Sequence, residues 1–155
     1  MEALIGAVMM IRGTAVKQVG GFDEDYFFFL EETDLAVRMR SAGWKVMHEP
    51  QAKAIHLQGA TAKANQAAAR IEFYRSRYIF FRKHYGKASA GILRAVLTAN
   101  LTLNTLVLGT ATLLTLGRVR SISERFRVRS ELWKWHLRGC PQGPGLSRNS
   151  GVSSQ

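Results

Sequence analysis

Between Ala95 and Leu116 the chain runs for twenty-two residues without a charge. No other stretch limits the fold so strongly. As a helix it would extend about 33 Å, enough to match a bilayer core of roughly 30 Å. Asn100, Asn104 and six threonines lower its hydrophobicity. Arg94 precedes it and Arg118 and Arg120 follow, so basic residues on both sides fix no topology. Four placements are open: a transmembrane span, an interfacial helix, a helix paired with another protein segment, and a core helix.

The rest of the chain is basic. The net charge is +11 and the pI about 10.5, which favours anionic partners such as phosphorylated substrates, lipid head groups or nucleic acid. A chain of 155 residues with 46% apolar residues has room for one domain and a modest core. Cys140 is the only cysteine, so no internal disulfide is possible and a reducing compartment is the easier reading. Met1-Glu2-Ala3 lacks the basic start of a secretory signal, and the apolar stretch to Ile11 ends at Arg12 without a cleavage pattern.

Residues 1–60 read as alternating strands and short helices, an α/β pattern. Gly6 to Arg12 is a short apolar run with the look of a buried strand. Thr14 can cap a short helix through Gln18, stopped by Gly20-Gly21. Glu31 to Ala42 is the next helix, with acids in its first turn, Arg38 and Arg40 toward its end, and Gly43 as its stop. Trp44 to His48 and Lys53 to Leu57 alternate as strands would, with Pro50 between them. Residues 62–86 are helical and basic. The end of the chain fades from Gly139 into a Gly-, Pro- and Ser-rich tail expected to be disordered.

Acidic residues are not spread evenly. Six of the eleven fall between Asp23 and Asp34, around the run Tyr26-Phe27-Phe28-Phe29-Leu30. Glu31, Asp34 and Arg38 are surface neighbours at helical spacing, and the plain reading is a capped helix with one ion pair. A carboxylate against a dense aromatic wall has its pKa raised by desolvation, which suits a general base. Asp23-Glu24-Asp25 spells Asp-x-Asp, but its place after Gly20-Gly21-Phe22 argues against a metal motif.

Several of these elements, in order, carry a resemblance. Val19-Gly20-Gly21-Phe22-Asp23-Glu24, then Tyr26 through Arg38, then Gly43-Trp44, resembles the acceptor-side half of family 2 glycosyltransferases, closest to rhamnosyltransferase-like bacterial members. Gly6 to Arg12 resembles the strand before that segment. His56-Leu57-Gln58-Gly59-Ala60-Thr61 resembles the family's His-x-x-Gly-x-Ser/Thr element, and Arg75 to Tyr85 the helix that follows. The match covers about residues 5–86.

The resemblance implies the C-terminal part of a GT-A nucleotide-diphospho-sugar transferase fold followed by long C-terminal helices. Residues 1–88 would be an incomplete catalytic domain, 89–138 apolar and basic helices at a membrane, and 139–155 the tail. It implies sugar transfer with inversion from a nucleotide-diphosphate donor to a hydroxyl of a glycan or polyprenyl-linked acceptor. A divalent cation, Mg²⁺ or Mn²⁺, would offset charge on the leaving diphosphate. Glu32 matches the base, although many members carry Asp there. Glu31, Asp34 and Trp44 would support the base or touch the acceptor. Arg75 and Arg77 would hold a diphosphate, and His56 would help bind the metal. Because the donor site of that family precedes the matched region, the chain alone is expected to bind no nucleotide sugar and transfer nothing.

The stretch Arg118 to Arg138, with Phe126, Trp133 and Trp135 interleaved, suits an anionic leaflet. The expected location is the cytoplasmic face of a bacterial inner membrane. The other reading is a small basic membrane- or nucleic-acid-binding protein without catalysis. No zinc spacing, helix-turn-helix signature or RNA-binding aromatic motif supports nucleic acid, so none is expected as a partner.

Overall fold

The computed structural model describes residues 8–53, 55, 65–142 and 145. They belong to two compact units, Met1–Ala60 and Thr61–Gln155.

In the first unit, α1 (Gly13–Val19) leaves an extended Arg12 and stops where Gly20 adopts φ 80°, ψ 170°. That region is essentially closed to residues with a Cβ. α2 (Glu31–Ser41) has Glu31, Glu32 and Asp34 in its first turn and Arg38 and Arg40 in its last, complementing the helix dipole at both ends. It closes with a Schellman turn. Gly43 takes φ 86°, and the Trp44 N–H donates to the Met39 carbonyl at 3.0 Å. Ala15, Leu35 and Met39 form the small core. Met9, Ile11, Val16, Val19, Trp44 and Val46 pack around it.

Among the described residues there is no β-strand, which overturns the expected α/β, GT-A architecture. The reason is visible in residues 8–12 and 44–48. Both segments are non-helical, and both show the period-two alternation of strands. Met9 and Ile11 turn in while Val8 and Met10 face out; Trp44 and Val46 turn in while Met47 faces out. Alternation sets which face is buried. A strand also needs a ladder of backbone hydrogen bonds, and neither segment has one among the described residues. In the third expected strand Lys53 and Ile55 are irregular, and Ala54, His56 and Leu57 lie outside the described residues.

The second unit is built from two long helices. α3 (Gln66–Leu114) starts at Asn65, whose Oδ1 accepts from the Ala68 N–H at 3.2 Å. It breaks at Gly86, with φ 85°, ψ 170°. Ile71 and Leu101 share one buried cluster with Leu132 and Trp135 of α4 (Arg120–Leu137). In a straight helix Ile71 and Leu101 would be about 45 Å apart. Gly86 therefore reverses the chain and makes α3 a hairpin of two arms, 66–85 and 87–114.

α4 runs antiparallel to the second arm. The Trp133 indole N–H donates to Thr102 Oγ1 at 2.9 Å, and Gly109 lies under the Phe126 ring, where an added Cβ would be 3.2 Å away. Both α3 and α4 end in Schellman turns, closed by Gly117 N–H to Thr112 O and Cys140 N–H to Trp135 O. The start of the expected tail is held in place. The Trp135 indole N–H donates to the Pro141 carbonyl at 2.9 Å, and Arg75 donates to the carbonyls of Pro141 and Gln142. Residues 143, 144 and 146–155 lie outside the described set.

α3 contains the only stretch among the described residues long and apolar enough to cross a membrane, with a window of mean hydropathy 1.4. Its second arm has two apolar faces. Leu101 and Thr105 are buried. Ile92, Val96, Leu103, Leu106, Val107, Leu113 and Leu114 are exposed on the opposite side.

Candidate active site

The first unit carries a groove of about 920 Å³, within the size range of small-molecule sites. Its floor is Ala15 of α1 with Leu35, Ala36 and Met39 of α2. Its walls are the extended segments around Met9 to Arg12 and Trp44 to His48. Glu32, in the first turn of α2, lines it, as do Arg12, Lys45, His48, Glu49 and Lys53. Glu32 therefore shares a groove with a largely apolar floor, and Arg12, Lys45 and Lys53 outnumber the second acid, Glu49, on the rest of the lining.

The approach to α2 is unusual. Phe29 and Leu30 both take left-handed φ, 70° and 67°. Each conformation costs about 1–3 kcal/mol for a residue with a side chain, and such strain persists only where surrounding contacts hold it. Here the double turn lets the helix begin directly at Glu31. The aromatic run before it is unevenly buried. Tyr26 is buried, whereas Phe27 and Phe28 are exposed.

Asp34 is fully buried and fully occupied in holding the unit together. Its carboxylate accepts from Arg38 Nε at 2.7 Å and receives a longer contact from the Tyr26 hydroxyl at 3.4 Å. Burial first, then the Asp34 charge, push the Tyr26 phenol above its ordinary range, so it remains a neutral donor. Arg38 then donates from Nη1 to the Val19 carbonyl and from Nη2 to the Gly21 carbonyl, each at 2.7 Å. One guanidinium thus joins the start of α2 to the end of α1. The sequence reading found the Asp34–Arg38 spacing but missed this clamp. Its signal was Gly20-Gly21, whose turn leaves carbonyls without helical partners.

The other expected site residues divide. Glu31 has one carboxylate oxygen buried without a hydrogen bond among the described residues. Trp44 lines the groove but is also a packing residue; its indole N–H donates to Gln18 Oε1 at 2.9 Å, and Arg12 lies over its ring. His56 lies outside the described residues. No group of three His, Cys, Asp or Glu residues suited to a metal occurs among those described. Asp23 accepts from the Asp25 N–H at 2.9 Å, closing a turn.

Arg75 and Arg77 belong to the second unit. Arg75 pairs with buried Glu72, lies over Trp135 and binds the Pro141 and Gln142 carbonyls. Arg77 lies over Phe73 and Tyr74. Beside them is a buried polar chain. His136 Nδ1 lies 2.8 Å from the Leu132 carbonyl and so carries the proton; Nε2 accepts from the Tyr78 hydroxyl at 2.7 Å. Burial lowers the His136 pKa and raises those of Tyr78 and Cys140.

No protein-family model matches the chain, and no solved structure matches it. Over 100 residues, 64% of this chain, it is 33% identical to N-acetylglucosaminyl-diphospho-decaprenol L-rhamnosyltransferase of Mycobacterium tuberculosis, with the same figures in strains CDC 1551 and H37Rv. Over 51 residues, 33% of this chain, it is 37% identical to rhamnosyltransferase WbbL of Escherichia coli K12. These matches cover 33% and 19% of the relatives, so the chain spans a third or less of their length. The chain is related to glycosyltransferases over part of its length.

Proposed function

We propose that this chain is the acceptor-side part of an inverting family 2 glycosyltransferase. It would act at the cytoplasmic face of a bacterial inner membrane, on a hydroxyl of a polyprenyl-diphosphate-linked glycan. The observation that carries the reading is the position of Glu32 on the groove, at the head of a helix fixed by the Asp34–Arg38 clamp. The rhamnosyltransferase relatives, one of them named for a diphospho-decaprenol compound, support it.

In this mechanism the Glu32 carboxylate takes the acceptor hydroxyl proton as the oxygen attacks the anomeric carbon of the donor sugar. The new carbon–oxygen bond forms on the face opposite the departing nucleoside diphosphate, which leaves with the electron pair of the broken bond. Leu35, Ala36 and Met39 shed water from the groove floor, and the rim cations attract an anionic substrate. A divalent cation would offset charge on the leaving diphosphate, but the described residues offer no ligand cluster and no step is assigned to it. The outward leucines of α3, with Arg118 and Arg120 beyond them, suit a membrane interface.

The test is a chimera in which this chain replaces the matched segment of the mycobacterial relative. The chimera is expected to transfer L-rhamnose. Its Glu32→Gln variant should lose at least about a hundredfold in turnover while still binding donor. Undiminished turnover in that variant removes Glu32 as base. The chain by itself should transfer nothing, and turnover by it would overturn the acceptor-side assignment.

A further inference from the structure

The second unit has a cavity of its own, about 470 Å³, at the end where α3 starts and α4 begins. Two columns of side chains at i, i+4 spacing face it: Gln66 and Arg70 from the first arm of α3, and Ser121, Arg125 and Arg129 from α4. Buried Val128 also lines it, and Glu124 is its one acid. Three arginines against one glutamate leave a net charge of +2.

These arginines differ from two of those described above. Arg38 and Arg75 are consumed by carboxylates and carbonyls. Arg70, Arg125 and Arg129 make no hydrogen bond or ion pair among the described residues. Three like charges around one cavity repel each other unless an anion sits between them. Arginine forks match phosphate oxygens two at a time. Ser121 and Gln66 add neutral donors. The last turn of α3 and the tight link to α4 place exposed Leu113, Leu114 and Leu116 only a few residues before Ser121.

We infer that Arg70, Arg125 and Arg129 bind the diphosphate of a lipid-linked substrate, with the exposed leucines beside them meeting its hydrocarbon or the bilayer that carries it. A diphosphate joining two alcohols bears two negative charges at neutral pH, equal and opposite to the cavity. The inference rests on the proposed transferase reading, which calls for a diphosphate-linked acceptor.

Inorganic pyrophosphate, titrated calorimetrically into the purified full chain in mild detergent, is the first probe. The Arg70→Gln, Arg125→Gln, Arg129→Gln triple variant should lose at least about tenfold in affinity, or about 1.4 kcal/mol. A charge-matched control, Arg82→Gln, Arg127→Gln, Arg138→Gln, removes exposed arginines that do not line the cavity and should stay within about twofold. Helix content by circular dichroism checks that both triples fold. The second probe is flotation with phosphatidylcholine vesicles carrying either a polyprenyl diphosphate or an equal charge of phosphatidylglycerol. Tighter binding to the first, lost in the cavity triple, supports the site. Equal loss in the two triples, equal binding to the two vesicles, or no pyrophosphate binding overturns it. None of these readouts depends on sugar transfer, so the chimera can succeed while this site fails, and the reverse.

Discussion

Removing the Arg38 guanidinium should cost the first unit more stability than any other single change to its polar groups. Asp34 has a fully buried side chain, and that of Arg38 is 20% exposed. Arg38→Met keeps the length of the stem and deletes three hydrogen bonds of 2.7 Å. The buried Asp34 carboxylate then loses its ion pair with Arg38, and breaking such a buried pair costs about 3–5 kcal/mol. In a unit of this size 1 kcal/mol moves the midpoint by about 4–8 °C, so a fall of about 12 °C or more is expected. Asp34→Asn should cost less, because its amide oxygen can still accept from Arg38. The double variant should be less destabilised than the sum of the two, by about 1–3 kcal/mol. Hydrogen exchange followed by mass spectrometry on peptides from residues 13–41 reads this free energy without interference from the second unit. If Arg38→Met changes protection there by less than about 1 kcal/mol, or if the single costs simply add, the clamp does not hold the unit together.

Two further outcomes concern the second unit. Gly86→Ala places a Cβ at φ 85°, ψ 170° with no neighbour to relieve it, so the cost is backbone strain of about 1–3 kcal/mol; urea unfolding followed by Trp133 and Trp135 fluorescence should show it, and an unchanged midpoint refutes the hairpin. His136 is buried among Tyr74, Tyr78 and Trp135 with Arg94 nearby, and its pKa is lowered from 6.5. The unfolded chain then binds protons more readily than the folded one, so stability is full above about pH 6.5 and falls as pH drops from there toward the folded pKa. The urea midpoint should decline over that range in the native chain and lose this slope in His136→Phe; an equal slope in both rules His136 out as its source.

The sequence was most informative where local chemistry decides structure. Gly43, the acids of the first turn and the basic residues of the last placed α2 to within one residue of its observed span. The apolar run from Ala95 gave the second arm of α3. Alternation at Met9–Ile11 and Trp44–Val46 identified the buried face but not the state, because pairing depends on backbone partners that alternation does not specify. The hairpin at Gly86 was hidden because a lone glycine in a helical pattern reads equally as a tolerated weak point. Of the candidate site, Glu32 was named only through the family resemblance. The role of Asp34 as a structural anchor was not legible, because that needs the carbonyls of Val19 and Gly21, distant in sequence. The arginine columns of the second cavity were missed for a similar reason, since Arg70 and Arg125 are joined only by the packing of α3 on α4.

The two-sided second arm of α3 has a consequence for how the chain behaves as a solute. Its outer leucines favour clumping between copies, while the surplus of positive charge holds those copies apart. Repulsion between exposed charges has a range of about 10 Å at 0.1 M salt and about 3 Å at 1 M. Adding salt should therefore turn a dispersed sample into a clouded one, and a detergent micelle or a lipid surface that coats those leucines should clear it again.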